Sequence, residues 1–218
     1  MATILLVLVL SYLLGSIPTS IVVGRVAAGL DIREHGSGNA GATNVYRVLG
    51  LGPAILTGFV DVAKGSIAVV VISSMHAGTP PQLSADVLKI VAGGAAVAGH
   101  VWTVFAGFRG GKGMATAIGA LLFIAPAALS ASLVVWLILL FTIRIMSLAS
   151  LSAAIILPLA TWVWETGPDG STSTELLWFS IVLSLLIFYT HRANIRRILR
   201  GEEKRLGRSS KNGDEGQA

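Results

Sequence analysis

Three stretches of this sequence gather residue types that handle anions. The first reads Arg33-Glu-His-Gly-Ser-Gly-Asn-Ala-Gly-Ala-Thr-Asn-Val-Tyr-Arg47. Gly36, Gly38 and Gly41 allow backbone N–H groups to turn inward and converge on a negative charge. Ser37, Asn39, Thr43 and Asn44 add side-chain donors, and Arg47 can grip a phosphate through its planar fork. A Gly/Asn-rich turn that leads into a helix cap is the plainer reading of the same residues. The second stretch is Gly107-Phe-Arg-Gly-Gly-Lys-Gly113. It precedes an apolar helix whose N-terminal end favours an anion. It is not a Walker A loop: Ala106 stands where the first glycine belongs, and Gly113 where Ser or Thr belongs. Positive-inside charge plus helix-breaking glycine, the plainer reading, accounts for Arg109 and Lys112 but not for four glycines in seven residues. A phosphate role is therefore expected of Arg109, Gly110, Gly111, Lys112 and Gly113.

The third stretch is His191-Arg-Ala-Asn-Ile-Arg-Arg-Ile-Leu-Arg-Gly-Glu-Glu203. His191 and Asn194 are three apart and share a helix face. The arginines at 192, 196, 197 and 200 suit a lipid-headgroup anchor, a role that neither His191 nor Asn194 serves. Elsewhere, Ser147 and Ser150 open a helix, with Ser147 expected as its N-cap and Ser150 placed for an anion contact. Asp61 and Lys64 are i, i+3 inside an apolar run and can neutralise each other. His100 reads as a packing histidine.

Several chemistries are excluded. The chain has no cysteine, so thiol catalysis, disulfides and thiolate metal sites are absent. Its four histidines show no metal-ligand spacing, and none has an aspartate five residues on, as a His-x-x-x-x-Asp acyltransferase would require. No metal, no cofactor and no nucleic-acid partner is expected.

The elements that must carry these loops are membrane helices. Of 218 residues, 54% are hydrophobic and 12% charged, about half the charge of a soluble domain. Mean hydropathy is +0.78. Apolar runs near the 20 residues that a crossing needs extend from about Ile4 to Val23, with Pro18 inside, and from Pro53 to Met75. Others run from Val87 to Phe105, Leu148 to Trp164 and Leu176 to Tyr189. Met114 to Ile143 is too long for one helix and is broken near Pro126; it reads as two short helices or a re-entrant pair. The expectation is all-α: a polytopic transmembrane bundle of about seven helices in one domain, 1–206, with a disordered polar tail, 207–218. The N-terminal run lacks a basic flank and reads as a retained helix rather than a signal peptide.

Charge orients this bundle. All Lys and Arg except Lys64 and Lys89 fall in Arg25–Gly52, Phe108–Gly113, Arg144–Ser147 or after Thr190. The positive-inside rule makes that side cytoplasmic, with the N-terminus outside and the C-terminus cytoplasmic. Trp162, Trp164 and Trp178 then belong to an outer aromatic belt, and His76 to the outer surface. Charge and polarity collected on one face suit surface enzymology. A transporter of an organic phosphate anion, the rival reading, would place polar groups near the midplane and on both faces.

Together the stretches Gly36–Arg47, Gly99–Thr116 and His191–Arg197, the last followed by Gly201-x-Glu203, resemble the three motifs of the PlsY family. These are bacterial membrane glycerol-3-phosphate acyltransferases that use acyl phosphate as donor. The resemblance runs in order to about Leu206. One departure is Thr103, where the family often has proline, which touches helix geometry more than chemistry. The resemblance implies transfer of a fatty acyl group from acyl phosphate to the 1-hydroxyl of sn-glycerol 3-phosphate. The products would be lysophosphatidic acid and phosphate, at the cytoplasmic face of the bacterial plasma membrane. It implies active-site roles for Ser37, Arg47, Lys112, His191 and Asn194. It also implies that the glycine-rich second motif holds glycerol phosphate.

Overall fold

The computed structural model describes residues 1–75, 83–165 and 173–206. The tail from 207, His76 and most of the loops expected opposite the basic side lie outside the described residues. Helix is the only regular structure among those described. In chain order the helices are α1 (Ala2–Gly15), α2 (Thr19–Ala28), α3 (Ala42–Leu49), α4 (Leu51–Val70) and α5 (Ala85–Val101). They continue with α6 (Met114–Ile124), α7 (Pro126–Ile143), α8 (Met146–Trp164), α9 (Thr174–Thr190) and α10 (Arg192–Leu199).

Five apolar runs are long enough to cross a bilayer: Ala2–Ala28, Leu51–Ser74, Ala85–Ala106, Pro126–Ile143 and Met146–Trp164. A sixth forms if α9 and α10, bent by 61°, are taken together. The helix α6 has 11 residues, about 16 Å at 1.5 Å per residue against a core of about 30 Å. The seven expected apolar segments are present, but α6 does not cross alone. The break near Pro126 is where the sequence puts it, yet only one of the two helices is short. Pro126 is the first residue of α7, where its missing N–H costs no helical bond, so α7 keeps its full length.

The first span departs from a continuous helix. It breaks between Gly15 and Thr19, because Pro18 cannot donate to the preceding turn. In lipid the freed carbonyls need partners. Lys64 Nζ donates to the carbonyls of Gly15 (3.1 Å) and Ile17 (3.0 Å), and the Thr103 hydroxyl donates to the Ser16 carbonyl. Thr103 thus does specific bonding work that a proline could not.

Packing follows small residues. The closest helix pairs are α7 with α8, α4 with α6, α1 with α5, and α8 with α9. A Cβ at Gly65 would strike the Thr116 carbonyl and one at Gly119 the Val62 carbonyl, so α4 and α6 touch backbone to backbone. Gly15 and Gly99 play the same part between α1 and α5. A larger apolar core, including Leu121, Leu129, Leu157 and Leu183, joins α6 through α9. Trp162, Trp164 and Trp178 stand exposed at the end of the bundle away from the basic loops, where interfacial aromatics belong.

Candidate active site

The three polar stretches meet at one end of the bundle around a cavity of about 670 Å³. Four helices begin at its wall: Ala42 of α3, Met114 of α6, Met146 of α8 and Arg192 of α10 all line it. Their positive ends oppose only the carboxyl-terminal ends of α5 and α9 there. Cationic side chains at the wall, among them Arg47, Arg109, Lys112 and Arg197, outnumber the two carboxylates, Asp61 and Glu203. Cation-rich walls and helix N-termini make this end of the bundle a candidate site for anions.

The first loop is organised by Asn44. Its buried amide donates to the carbonyls of Ile32 (2.9 Å) and His35 (3.0 Å). Its oxygen accepts from the Ser37 backbone N–H (2.7 Å) and the Ser37 hydroxyl (3.0 Å). Ser37 is so fixed with its remaining lone pairs free. Gly36 (φ +66°) holds the turn and presses against Asn44 rather than the cavity; of the sequence-predicted residues it alone lies off the wall. Gly38, Asn39, Thr43 and Arg47 all line the cavity. The helix α3 starts inside this loop, which sets Thr43 and Arg47 at i, i+4 on one face. Arg47 is half-buried and has no ion-pair or hydrogen-bond partner among the described residues.

The second loop folds back on the end of α5. The N–H groups of Gly110 and Gly111 donate to the carbonyls of Val101 and His100, each at 3.1 Å. Both glycines line the cavity, but their amides are already engaged. What they supply is room for the loop to reach α5: a Cβ at Gly110 would strike the His100 carbonyl, and one at Gly111 would strike the His100 ring. Gly113 (φ +83°) makes the left-handed turn that starts α6. Arg33, paired with Asp31 at 2.7 Å, donates to the Ala106 carbonyl at 3.0 Å and ties the first loop to the second.

Lys112 leads into a connected polar chain. Its ammonium donates to Asn194 Oδ1, and Asn194 Nδ2 donates to Glu203 Oε1 at 2.6 Å. Ser147 donates to the same oxygen at 2.7 Å, and Arg197 Nε to Glu203 Oε2 at 2.6 Å. Burial pushes the Glu203 carboxyl up, but the hydrogen bonds from Arg197, Ser147 and Asn194 outweigh this and hold it below the usual range. Burial, with Arg197 and Arg47 close by, lowers Lys112 to about 8 despite Glu203.

His191 sits in the bend just beyond α9 and is buried. Its Nδ1 lies 2.8 Å from the Ile187 carbonyl; as a donor there, it leaves Nε2 as an acceptor. Burial and the neighbouring Lys112 lower it to about 4, so it is neutral at physiological pH.

The sequence pattern placed some residues differently. Ser147 is not the N-cap of α8; Ile145 is, and Ser147 spends its hydroxyl on Glu203. Ser150 lines the cavity, donates to the Met146 carbonyl (3.0 Å) and meets Trp136 Nε1 at 3.4 Å. Asp61 and Lys64 do pair, at 2.8 Å, but His100 joins them rather than bonding to backbone alone. Trp136 escaped notice in the sequence. It stands where the polar cavity adjoins a narrow apolar groove lined by Ile118, Leu121, Leu133 and Leu157. A tryptophan inside an apolar run and remote from the outer aromatic belt was the available signal.

The profile of the glycerol-3-phosphate acyltransferase family matches residues 5–201. The chain belongs to this family. A glycerol-3-phosphate acyltransferase of Chlorobaculum tepidum is 41% identical, over 97% of this chain and all of the relative. One from Chlorobium phaeobacteroides is 42% identical, over 94% of this chain and 97% of the relative. A crystal structure of PlsY, an integral membrane glycerol 3-phosphate acyltransferase, in its glycerol 3-phosphate form superposes with a TM-score of 0.80. It is 39% identical and covers 94% of this chain and 96% of that one. The lysophosphatidic acid form of PlsY superposes at 0.77. This chain is therefore an integral membrane acyltransferase of that family, and its cation-lined cavity is the candidate active site.

Proposed function

We propose that this enzyme transfers a fatty acyl group from acyl phosphate to the 1-hydroxyl of sn-glycerol 3-phosphate. The products are lysophosphatidic acid and phosphate, in the first acylation of phospholipid synthesis. The observation that carries this reading is the convergence of two cationic loops and His191 on one cavity beside an apolar groove. Two phosphorylated substrates need several paired cations once water is displaced. Arg47, with Ser37, Asn39 and Thr43, takes one phosphate. Arg109 and Lys112, at the start of α6 and supported by Asn194, take the other. The acyl chain lies along the groove past Trp136.

Acyl phosphate is already activated, so no covalent acyl-enzyme is required. The hydroxyl oxygen attacks the acyl carbon, the bond from that carbon to the phosphate oxygen breaks, and phosphate leaves with the electron pair. His191 Nε2 accepts the hydroxyl hydrogen bond and orients the attack. The proton passes to the departing phosphate, whose oxygens lie beside the attacking hydroxyl. Positioning and anion stabilisation supply most of the rate. An organic-phosphate transporter fits less well, because the unpaired cations gather at one end of the bundle.

The basic end is the cytoplasmic one, by charge bias, and the membrane is the bacterial plasma membrane. Donor preference tests the reading: acyl phosphate should support turnover where acyl-CoA does not. Equal or better activity with acyl-CoA would refute it.

A further inference from the structure

One buried charged cluster is unused by the proposed chemistry, although Asp61 and His100 reach the cavity wall. Asp61 and Lys64 on α4, 2% and 3% exposed, sit beside His100 near the end of α5. Lys64 Nζ is 2.8 Å from Asp61 Oδ1 and 3.3 Å from His100 Nδ1, besides the two carbonyls it serves at the break in the first span. His100 Nδ1 also lies 3.6 Å from Asp61 Oδ1, so the imidazole abuts both charges of the pair. Nε2 points away from α4, to the place where the two anion-binding loops touch. A Cβ at Gly111 would strike both His100 Nε2 and the Ala40 carbonyl. Ala40 belongs to the first loop and Gly111 to the second, and both are buried.

We propose that Asp61, Lys64 and His100 form an intramembrane positioning cluster whose imidazole, packed against Gly111 where that residue meets the Ala40 carbonyl, sets the spacing of the two anion-binding loops. The inference rests on the reading that each loop holds one substrate phosphate. None of the three residues needs to touch the reacting atoms. Lys64 fixes the ring from behind through Nδ1, its charge compensated by Asp61, and the ring fixes the loops in front. The cluster therefore governs how donor and acceptor line up once both are bound. A misplacement of about 1 Å can cost about a hundredfold in rate without abolishing binding.

Two variants separate this role from plain stability. An asparagine amide reaches the position of Nδ1, and a glutamine amide that of Nε2. His100→Asn keeps the Lys64 contact and loses the loop contact. It should melt near wild type while kcat falls about ten- to a hundredfold, with both KM values moving less than about threefold. His100→Gln keeps the loop contact and should retain most of kcat while melting lower. A kcat loss that follows the melting temperature across both variants, or no kcat loss in His100→Asn, overturns the proposal. Failure of wild-type enzyme to acylate glycerol 3-phosphate from acyl phosphate would instead strike the functional reading beneath it.

Discussion

Replacing Arg47 by alanine probes one substrate contact with little structural cost. The guanidinium has no ion-pair or hydrogen-bond partner among the described residues, so its loss leaves no buried group unpaired. Stability should stay within about 0.5 kcal/mol of wild type. Arg197 is the internal contrast, because it holds Glu203 at 2.6 Å. Removing one hydrogen bond to a charged group costs about 1.5–3 kcal/mol, so Arg197→Ala should lower the melting temperature where Arg47→Ala does not. Losing a preorganised anion contact costs about 10²- to 10³-fold in rate, or about 2.7–4 kcal/mol of transition-state stabilisation. Arg47→Ala should show that loss in kcat/KM, measured by phosphate release with each substrate varied in turn. Arg47→Lys, which keeps the charge but not the fork, should fall between. Near wild-type turnover in Arg47→Ala, or a loss matched by a falling melting temperature, would refute the placement of a phosphate beside α3.

Asn44→Ala removes four hydrogen bonds of about 1 kcal/mol each; it should lower the melting temperature and activity together, and a stable, inactive protein would contradict its organising role. Gly110→Ala and Gly111→Ala should raise the KM for glycerol 3-phosphate and also lower stability, since both methyls strike the end of α5; a KM change in a protein that melts like wild type would mean the methyl blocks the ligand directly. Activity should fall as pH rises through about 8, where Lys112 loses its charge, and a pH–rate profile that stays flat to pH 10 would remove Lys112 from the transition state. His191 titrates at about 4 when folded against 6.5 unfolded, so between these values the unfolded chain binds more protons and stability falls as pH drops from 6.5 to 4; thermal melts across that window check the sign.

The three loops were legible because their information is local. Glycine spacing, adjacent donors and a following apolar run state an anion site without knowledge of the fold. Their convergence was legible through charge, since all three lie on the basic side of the same helices. Asn44 was visible only as one donor among several; two of its four bonds go to carbonyls nine and twelve residues away, and the other two come from Ser37, seven residues away. Glu203 was visible as part of a motif, but its partners come from the start of α8, at Ser147, and from α10, at Asn194, nine residues before it. Pro18 was expected inside a continuous span, because nothing local announces that Lys64 and Thr103 will donate to the freed carbonyls. The same holds for Ser147, whose position near a helix start suits a cap until a distant carboxylate claims it.

Product stoichiometry tests the central claim most directly. Purified enzyme, given acyl phosphate with and without sn-glycerol 3-phosphate, is followed by mass spectrometry of lipid products and of the intact protein, with phosphate measured in parallel. The account predicts one phosphate released per 1-acyl lysophosphatidic acid formed, no phosphate burst without the acceptor, and no acylated protein. Acyl phosphate cleavage independent of glycerol 3-phosphate, or a protein mass increased by one acyl group, would contradict direct transfer between two substrates held in one cavity.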